Sequence, residues 1–186
     1  MDQIPSHLHH LILTYCDQKT LLFVLEHNSK YREFLTNNQF FLQELLNEFE
    51  SINIFNKAAK NGHLNVIQWL HSNRIEGCTT KAIDITCQNG FLNIVQWLHH
   101  NRTEGCTTLA TDNAACNGDL NVVEWLHENR TEGCTKWAMD HAASHGHLNV
   151  VKWLHENRTE GCTTEAMDNA AKYGHLNVIE WLHNNR

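Results

Sequence analysis

The sequence predicts an all-α solenoid of stacked helix-turn-helix units, preceded by a separate N-terminal helical module. Three observations predict it. Trp69, Trp97, Trp125, Trp153 and Trp181 recur every 28 residues, as do Gly62, Gly90, Gly118, Gly146 and Gly174, and self-similarity at a period of this size marks a repeat array. No stretch alternates apolar and polar residues over strand length, and Pro5 is the sole proline, so nothing argues for a sheet. Two helix-sized segments fit between the glycines of each unit; such a pair exposes an apolar face when alone and must bury it against its neighbours.

Residues 1–50 differ in texture from the rest. They hold the proline, no glycine, and apolar runs at Leu11-Ile12-Leu13, Leu21 to Leu25 and Phe40-Phe41-Leu42. Pro5 suits the first turn of a helix, Asp17 can cap a second, and Asn28 or Ser29 a third. The segment is expected to be a helical module or a cap on the array.

The array occupies residues 51–186 in five units. The first helix of a unit, as in Thr163 to Ala171, opens on threonine as N-cap and runs toward Gly174, where a left-handed backbone can end it. The second is expected to begin near Asn177 as cap, with Val178, Ile179, Trp181 and Leu182 on one face. That spacing places the tryptophan series in the packed core. A second glycine series, Gly77, Gly105, Gly133 and Gly161, is followed directly by Cys78, Cys106, Cys134 and Cys162 and marks the loop to the next unit. Trp181 and Leu182 in the last unit keep their apolar character, so exposed apolar surface is expected there.

Ala142-Ala143 followed by Gly146-His-Leu-Asn-Val-Val151 resembles the ankyrin repeat, and the resemblance covers residues 51–186. The unit is shorter than the roughly 33 residues of that family, and the Thr-Pro-Leu-His opening is missing. Asp84, Asp112, Asp140 and Asp168 stand in place of the family's histidine, and Asn56 does so in the first unit. These side chains are expected to hydrogen-bond from helix to loop of the neighbouring unit. The short connection implies stacked helix pairs with blunted loops.

Comparison among the five copies separates packing from freedom. Ala82, Ala110, Ala138 and Ala166 are fixed at one inner-helix site, and Ala58, Ala114, Ala142 and Ala170 share another; small side chains there permit close approach. Lys81, Leu109, Trp137 and Glu165 occupy a varied site, as do Ile85, Asn113, His141 and Asn169, and then Gln88, Cys116, Ser144 and Lys172. Offsets of four and three put these on one stripe. The resemblance implies that this helix lines the concave side and that the stripe contacts a protein partner. Trp137 leads that set as the large aromatic; Asn89, Asn117, His145 and Tyr173 form a rim.

The N-terminal segment, residues 4–45, resembles an F-box. Ile4-Pro5 stands for its Leu-Pro opening, Leu8 and Ile12-Leu13 for its first helix, Leu21-Leu22 for its second, and Lys30-Tyr31-Arg32 for its basic-aromatic stretch. The resemblance implies that Ile4, Pro5, Leu8, Ile12, Leu21 and Leu22 contact the SCF adaptor subunit, with the repeats selecting substrates for ubiquitination. The alternative is a plain binding protein whose N-terminal segment shields the first repeat.

Composition removes other classes. Fourteen Lys and Arg against 21 Asp and Glu give a net charge of -7, a poor footprint for nucleic acid or anionic lipid. No signal peptide or membrane anchor is expected from the N-terminal residues, and seven cysteines without one fit a reducing compartment, the cytoplasm or nucleus. Equivalent cysteines or histidines of adjacent units stand one repeat step apart, about 8–10 Å for packed helices, too far for a disulfide or a shared zinc. His141 and His145, four apart on one helix with His147 beyond, are the one local pair that could grip a metal. No nucleophile elbow, zinc-protease motif or phosphate loop is present, and near-equivalent copies do not supply the differently tuned acid and base of catalysis. The expectation is a non-enzymatic protein-interaction scaffold without cofactor; a metal- or nucleic-acid-associated module is the remaining alternative.

Overall fold

The computed structural model describes residues 18–37, 51–72 and 78–185. Among them twelve helices and no strands form, and the chain divides into two compact units, residues 1–79 and 80–186.

In the first unit α1 (Gln18–His27) and α2 (Ser29–Asn37) precede the first repeat pair, α3 (Ser51–Lys60) and α4 (Leu64–Ser72), and α1 packs on both helices of that pair. Leu21, Leu25, Tyr31, Leu35, Ile54, Phe55, Val66 and Ile67 are its buried core. Asn28 caps α2, its Oδ1 accepting the Tyr31 N–H at 2.9 Å. Asp17, the expected cap before α1, lies outside the described residues, as do Ile4, Pro5, Leu8 and Ile12. Leu21 and Leu22 are 0% and 3% exposed, so both side chains face the core of this unit and neither is presented for an adaptor to touch.

The second unit holds four helix pairs. The inner helices are α5 (Thr80–Gln88), α7 (Thr108–Asn117), α9 (Lys136–Ser144) and α11 (Glu165–Lys172); the outer ones are α6 (Leu92–Asn101), α8 (Leu120–Asn129), α10 (Leu148–Asn157) and α12 (Leu176–Asn185). Threonine opens the inner helices as expected: Thr107, Thr135 and Thr163 accept the backbone N–H two residues on, at 3.2, 3.1 and 3.1 Å. Gly118 ends α7 with φ +80°, where any other residue would be strained. A Cβ there would also lie 2.5 Å from Nδ1 of His147 in the following unit.

Neighbouring inner helices pack along their alanine faces, and Ala82, Ala110, Ala138 and Ala166 are each at most 1% exposed. Outer helices touch one another less closely than inner ones do. Closer approach on the inner side than on the outer bends this unit toward its inner helices. The core between the two layers is made of Ile94, Val95 and Leu98 and their equivalents through Val178 and Leu182, all 2% exposed or less except the half-buried Ile179 of the last unit; each fully buried member contributes roughly 1.5–3 kcal/mol.

Two expectations are corrected. The outer helices begin at leucine, not at asparagine: Asp119 and His147 hold the cap positions of α8 and α10 without a side-chain cap bond, and the asparagine follows inside the first turn. The left-handed glycine already turns the chain, and backbone bonds such as Val123 N–H to Asp119 O at 3.1 Å close the first turn without help. Nor are the tryptophans core residues. Trp97, Trp125, Trp153 and Trp181 are half-buried, while valine, isoleucine and leucine fill the interior. Each of the last three meets a histidine of the preceding unit edge-on, with ring centroids 5.2 Å apart for His99 and Trp125, 5.2 Å for His127 and Trp153, and 5.1 Å for His155 and Trp181. A half-buried indole at a seam adds apolar cover to the joint without entering the core. At the last pair Leu182 is buried and the exposed apolar residues are Leu176 and Tyr173 instead.

Candidate functional site

The joints between units use up the polar groups that the repeat holds constant. Asp84, Asp112 and Asp140 are 5%, 6% and 3% exposed. Each accepts two hydrogen bonds from the threonine 23 residues on, one from the backbone N–H and one from the hydroxyl. The distances are 2.9 and 3.0 Å for Asp84 with Thr107, 2.8 and 2.8 Å for Asp112 with Thr135, and 2.8 and 2.9 Å for Asp140 with Thr163. Burial still pushes the Asp84 carboxyl above its ordinary range, against the lowering effect of the Thr107 bonds. These are the helix-to-loop bonds expected of the aspartate series; Asp168, its fourth member, is exposed.

The first repeat lacks the device. Asn56 replaces the aspartate, and among the described residues neither its Oδ1 nor the Thr79 hydroxyl 23 residues on finds a partner, although both are buried.

Among the described residues, three connecting loops are each pinned by an arginine fork. Arg102 pairs with Glu104, Arg130 with Glu132 and Arg158 with Glu160 through two nitrogens each. The hydrogen bonds from Arg130 and Arg158 hold the Glu132 and Glu160 carboxyls below the usual range. Arg130 also lies over Gly105 of the preceding loop and donates to Nδ1 of His99 at 3.3 Å. Burial, then the Arg130 charge, lowers the His99 pKa below its ordinary value. Burial raises the Cys106 and Cys134 thiols to about 11, and none of the six described cysteines is in a disulfide. Among the described residues no three His, Cys, Asp or Glu side chains group as a metal site would need. His141 and His145 each turn Nδ1 to the carbonyl four residues back, at 3.1 and 2.9 Å, which takes one nitrogen of each ring.

The varied stripe of the second unit lies on its inner helices. Lys81, Leu109, Trp137 and Glu165 are exposed at the first site; Ile85, Asn113, His141 and Asn169 are half-buried at the second; Gln88 and Lys172 are exposed and Cys116 and Ser144 half-buried at the third. They lie on α5, α7, α9 and α11, which pack in that order, so the structure brings the twelve residues onto one face. Leu109 is 50% and Trp137 62% exposed, apolar bodies held in water. The Trp137 ring lies against His141 with centroids 4.9 Å apart, fixing an aromatic pair at the middle of the face. Cys116 Sγ approaches His145 Nδ1 at 3.9 Å, and Lys172 Nζ sits 5.2 Å over the exposed Tyr173 ring. Asn113 has a further duty, since its amide donates to the Asp84 carbonyl at 3.3 Å and ties two inner helices.

Sequence reasoning passed over Lys136, which is exposed beside Trp137. The signal was available: Thr80, Thr108 and Thr164 hold that position in the other copies.

A curved stack with a constant core and a variable concave face defines a repeat-built binding scaffold. Family models for ankyrin repeats match residues 55–140, in a three-copy form, and residues 139–183, in a many-copy form, so this stretch of the chain belongs to the ankyrin repeats, a protein-interaction architecture. No family match supports the F-box resemblance of residues 4–45. No curated protein matches the chain.

Proposed function

We propose that the chain is a non-enzymatic scaffold that binds a protein partner through the inner-helix stripe of residues 80–186, centred on Trp137. The observation that carries this reading is the contrast between the two tryptophan classes. Of the repeated ones, Trp125, Trp153 and Trp181 meet histidines of the neighbouring unit at the seams, whereas Trp137 stands on the inner face, 62% exposed and braced by His141. Residues that stabilise the stack have their partners within it; an ordered indole that the stack does not cover has the properties of a binding anchor.

The stripe combines such an anchor with an aliphatic neighbour, Leu109, and polar positions that differ from copy to copy, as a surface selected for one partner would. A ligase-receptor version requires the N-terminal segment to hold an adaptor. Of the six residues assigned to that role, four lie outside the described residues and two are buried, so the reading preferred here is the scaffold itself. No helix among the described residues is long and apolar enough to cross a membrane, and a cytoplasmic or nuclear setting suits the free thiols.

The test is photo-crosslinking in cells from positions 109, 137 and 141, compared with positions on the outer face such as Lys152 and Glu180. Crosslinks to one protein from the inner positions alone, lost on Trp137→Ala with the fold retained by circular dichroism, support the reading. Equal crosslinking from both faces refutes it.

A further inference from the structure

The charges of the second unit are segregated between its faces, and the geometry points to an acidic, extended polypeptide segment with an apolar anchor as the ligand of the concave stripe. This rests on the stripe being the binding face and adds the chemistry of what it binds.

The chain as a whole is acidic, at -7. On α5, α7 and α9, however, the carboxylates are Asp84, Asp112 and Asp140, all buried and bonded to threonines of the next unit. What these helices offer to solvent is Lys81, Gln88, Leu109, Asn117, Lys136 and Trp137. Lys172 and the Tyr173 beneath it extend the basic run onto α11, where Glu165 and Asp168 are the exposed acids. The other exposed or half-buried carboxylates of this unit, Glu128 and Glu156 among them, sit on outer helices and loops. An acidic protein that keeps one apolar-aromatic face free of exposed carboxylate over three successive helices attracts a ligand of opposite sign there and repels it elsewhere, which orients the encounter.

Length follows from the stack. Four inner helices give three steps of about 8–10 Å, a span that roughly seven to nine residues of extended chain cover at about 3.3 Å each. The apolar positions between the lysines, Leu109 and Ile85, offer aliphatic packing, and the acidic outer face opposes a long polyanion; both favour a peptide over a nucleic acid.

The experiment uses the full chain and three fluorescent probes read by anisotropy: a peptide of alternating Glu and Leu, its Lys and Leu counterpart, and a single-stranded oligonucleotide. The acidic peptide is expected to bind best, to weaken by at least about fivefold between low and physiological salt, and to lose roughly tenfold or more in affinity on Trp137→Ala. The combined Lys81→Glu, Lys136→Glu and Lys172→Glu variant, with a melting temperature near that of the parent, should prefer the basic peptide. Equal binding of both peptides, preference for the basic one, tighter binding of the oligonucleotide, or no binding of any probe each overturns the inference. The stripe itself stands or falls separately: a crosslinked partner that depends on Trp137 but is indifferent to the lysine reversals leaves the binding face intact and removes only the acidic ligand.

Discussion

Asp112 reaches across the seam between two repeats to Thr135, its Oδ1 accepting the backbone N–H and its Oδ2 the hydroxyl, each at 2.8 Å. The same threonine oxygen then accepts the Trp137 N–H at 3.1 Å and caps the next inner helix. One carboxylate therefore fixes both the spacing of two units and the start of the helix that carries the exposed indole.

Asp112→Ala should lower stability by about 2–3 kcal/mol, because two hydrogen bonds to a buried carboxylate are lost across the seam. Asp168→Ala, at an exposed equivalent site, should stay within about 0.5 kcal/mol. Urea unfolding of the two variants checks the contrast; equal losses would mean that the seam bond is not what the aspartate contributes.

At Asn56 the opposite change should help. With the Asn56 Oδ1 and the Thr79 hydroxyl both buried and unpartnered among the described residues, Asn56→Asp exchanges the amide NH2 for a second acceptor oxygen, giving the charged two-oxygen acceptor used at the other seams, and should stabilise the protein by about 1 kcal/mol. Thermal unfolding near neutral pH reads the gain, and pairing with Thr79→Val should abolish it.

Gly118→Ala combines a left-handed backbone with a collision against His147, and should cost roughly 2–3 kcal/mol. At Gly174, φ is also positive, +78°, but nothing lies within 4 Å of an added Cβ, so Gly174→Ala should cost about 1 kcal/mol from the backbone alone. Denaturant midpoints of the pair separate strain from crowding.

The neutral His99 ring accepts from Arg130, and its pKa is lowered from 6.5. The unfolded chain then binds a proton that the folded one resists, so stability is fully present above 6.5 and is lost as pH falls from there toward the lowered value. A series of melting temperatures across this range should show a shallower decline for His99→Asn than for the parent, even if the variant starts lower because its contact with Trp125 is gone.

Cys106 and Cys134, held at about 11 by burial, should alkylate near pH 8 at least about a hundredfold more slowly than a free peptide thiol. The half-buried Cys116 on the inner face should react ahead of both. Site-resolved mass spectrometry gives the order; a fast Cys134 would show that the loop opens far more readily than its arginine fork suggests.

Much of this architecture was legible before any coordinates. The recurrence of glycine and alanine identified the turns and the tight helix contacts, because those roles admit few side chains. The helix-to-loop bond of Asp112 was readable because the aspartate recurs with the period, but Thr135 as its partner was not, since the threonine was read only as a helix cap. The tryptophans misled, since helical spacing with valine and leucine says which side of a helix they share but not how deep each reaches. Asn177 misled for a related reason: its preference for cap positions is local, while the preceding left-handed glycine and the backbone bonds around His175 decide where the chain begins to coil. The stripe was found from variation among the copies, yet its charge balance was not. Only the burial of Asp84, Asp112 and Asp140 reveals that the inner face of the first three helices of that unit is without an exposed carboxylate.

The constant offset of 23 residues between each buried acid and its threonine makes the length of the array come in quanta. Gain or loss of one whole module by recombination rejoins every acid to a hydroxyl, while any other insertion within the run strands a carboxylate in the interior. Duplication is thus the cheap route by which such a gene can lengthen its recognition surface, and point changes on the inner face can then diversify each new copy without disturbing the joints.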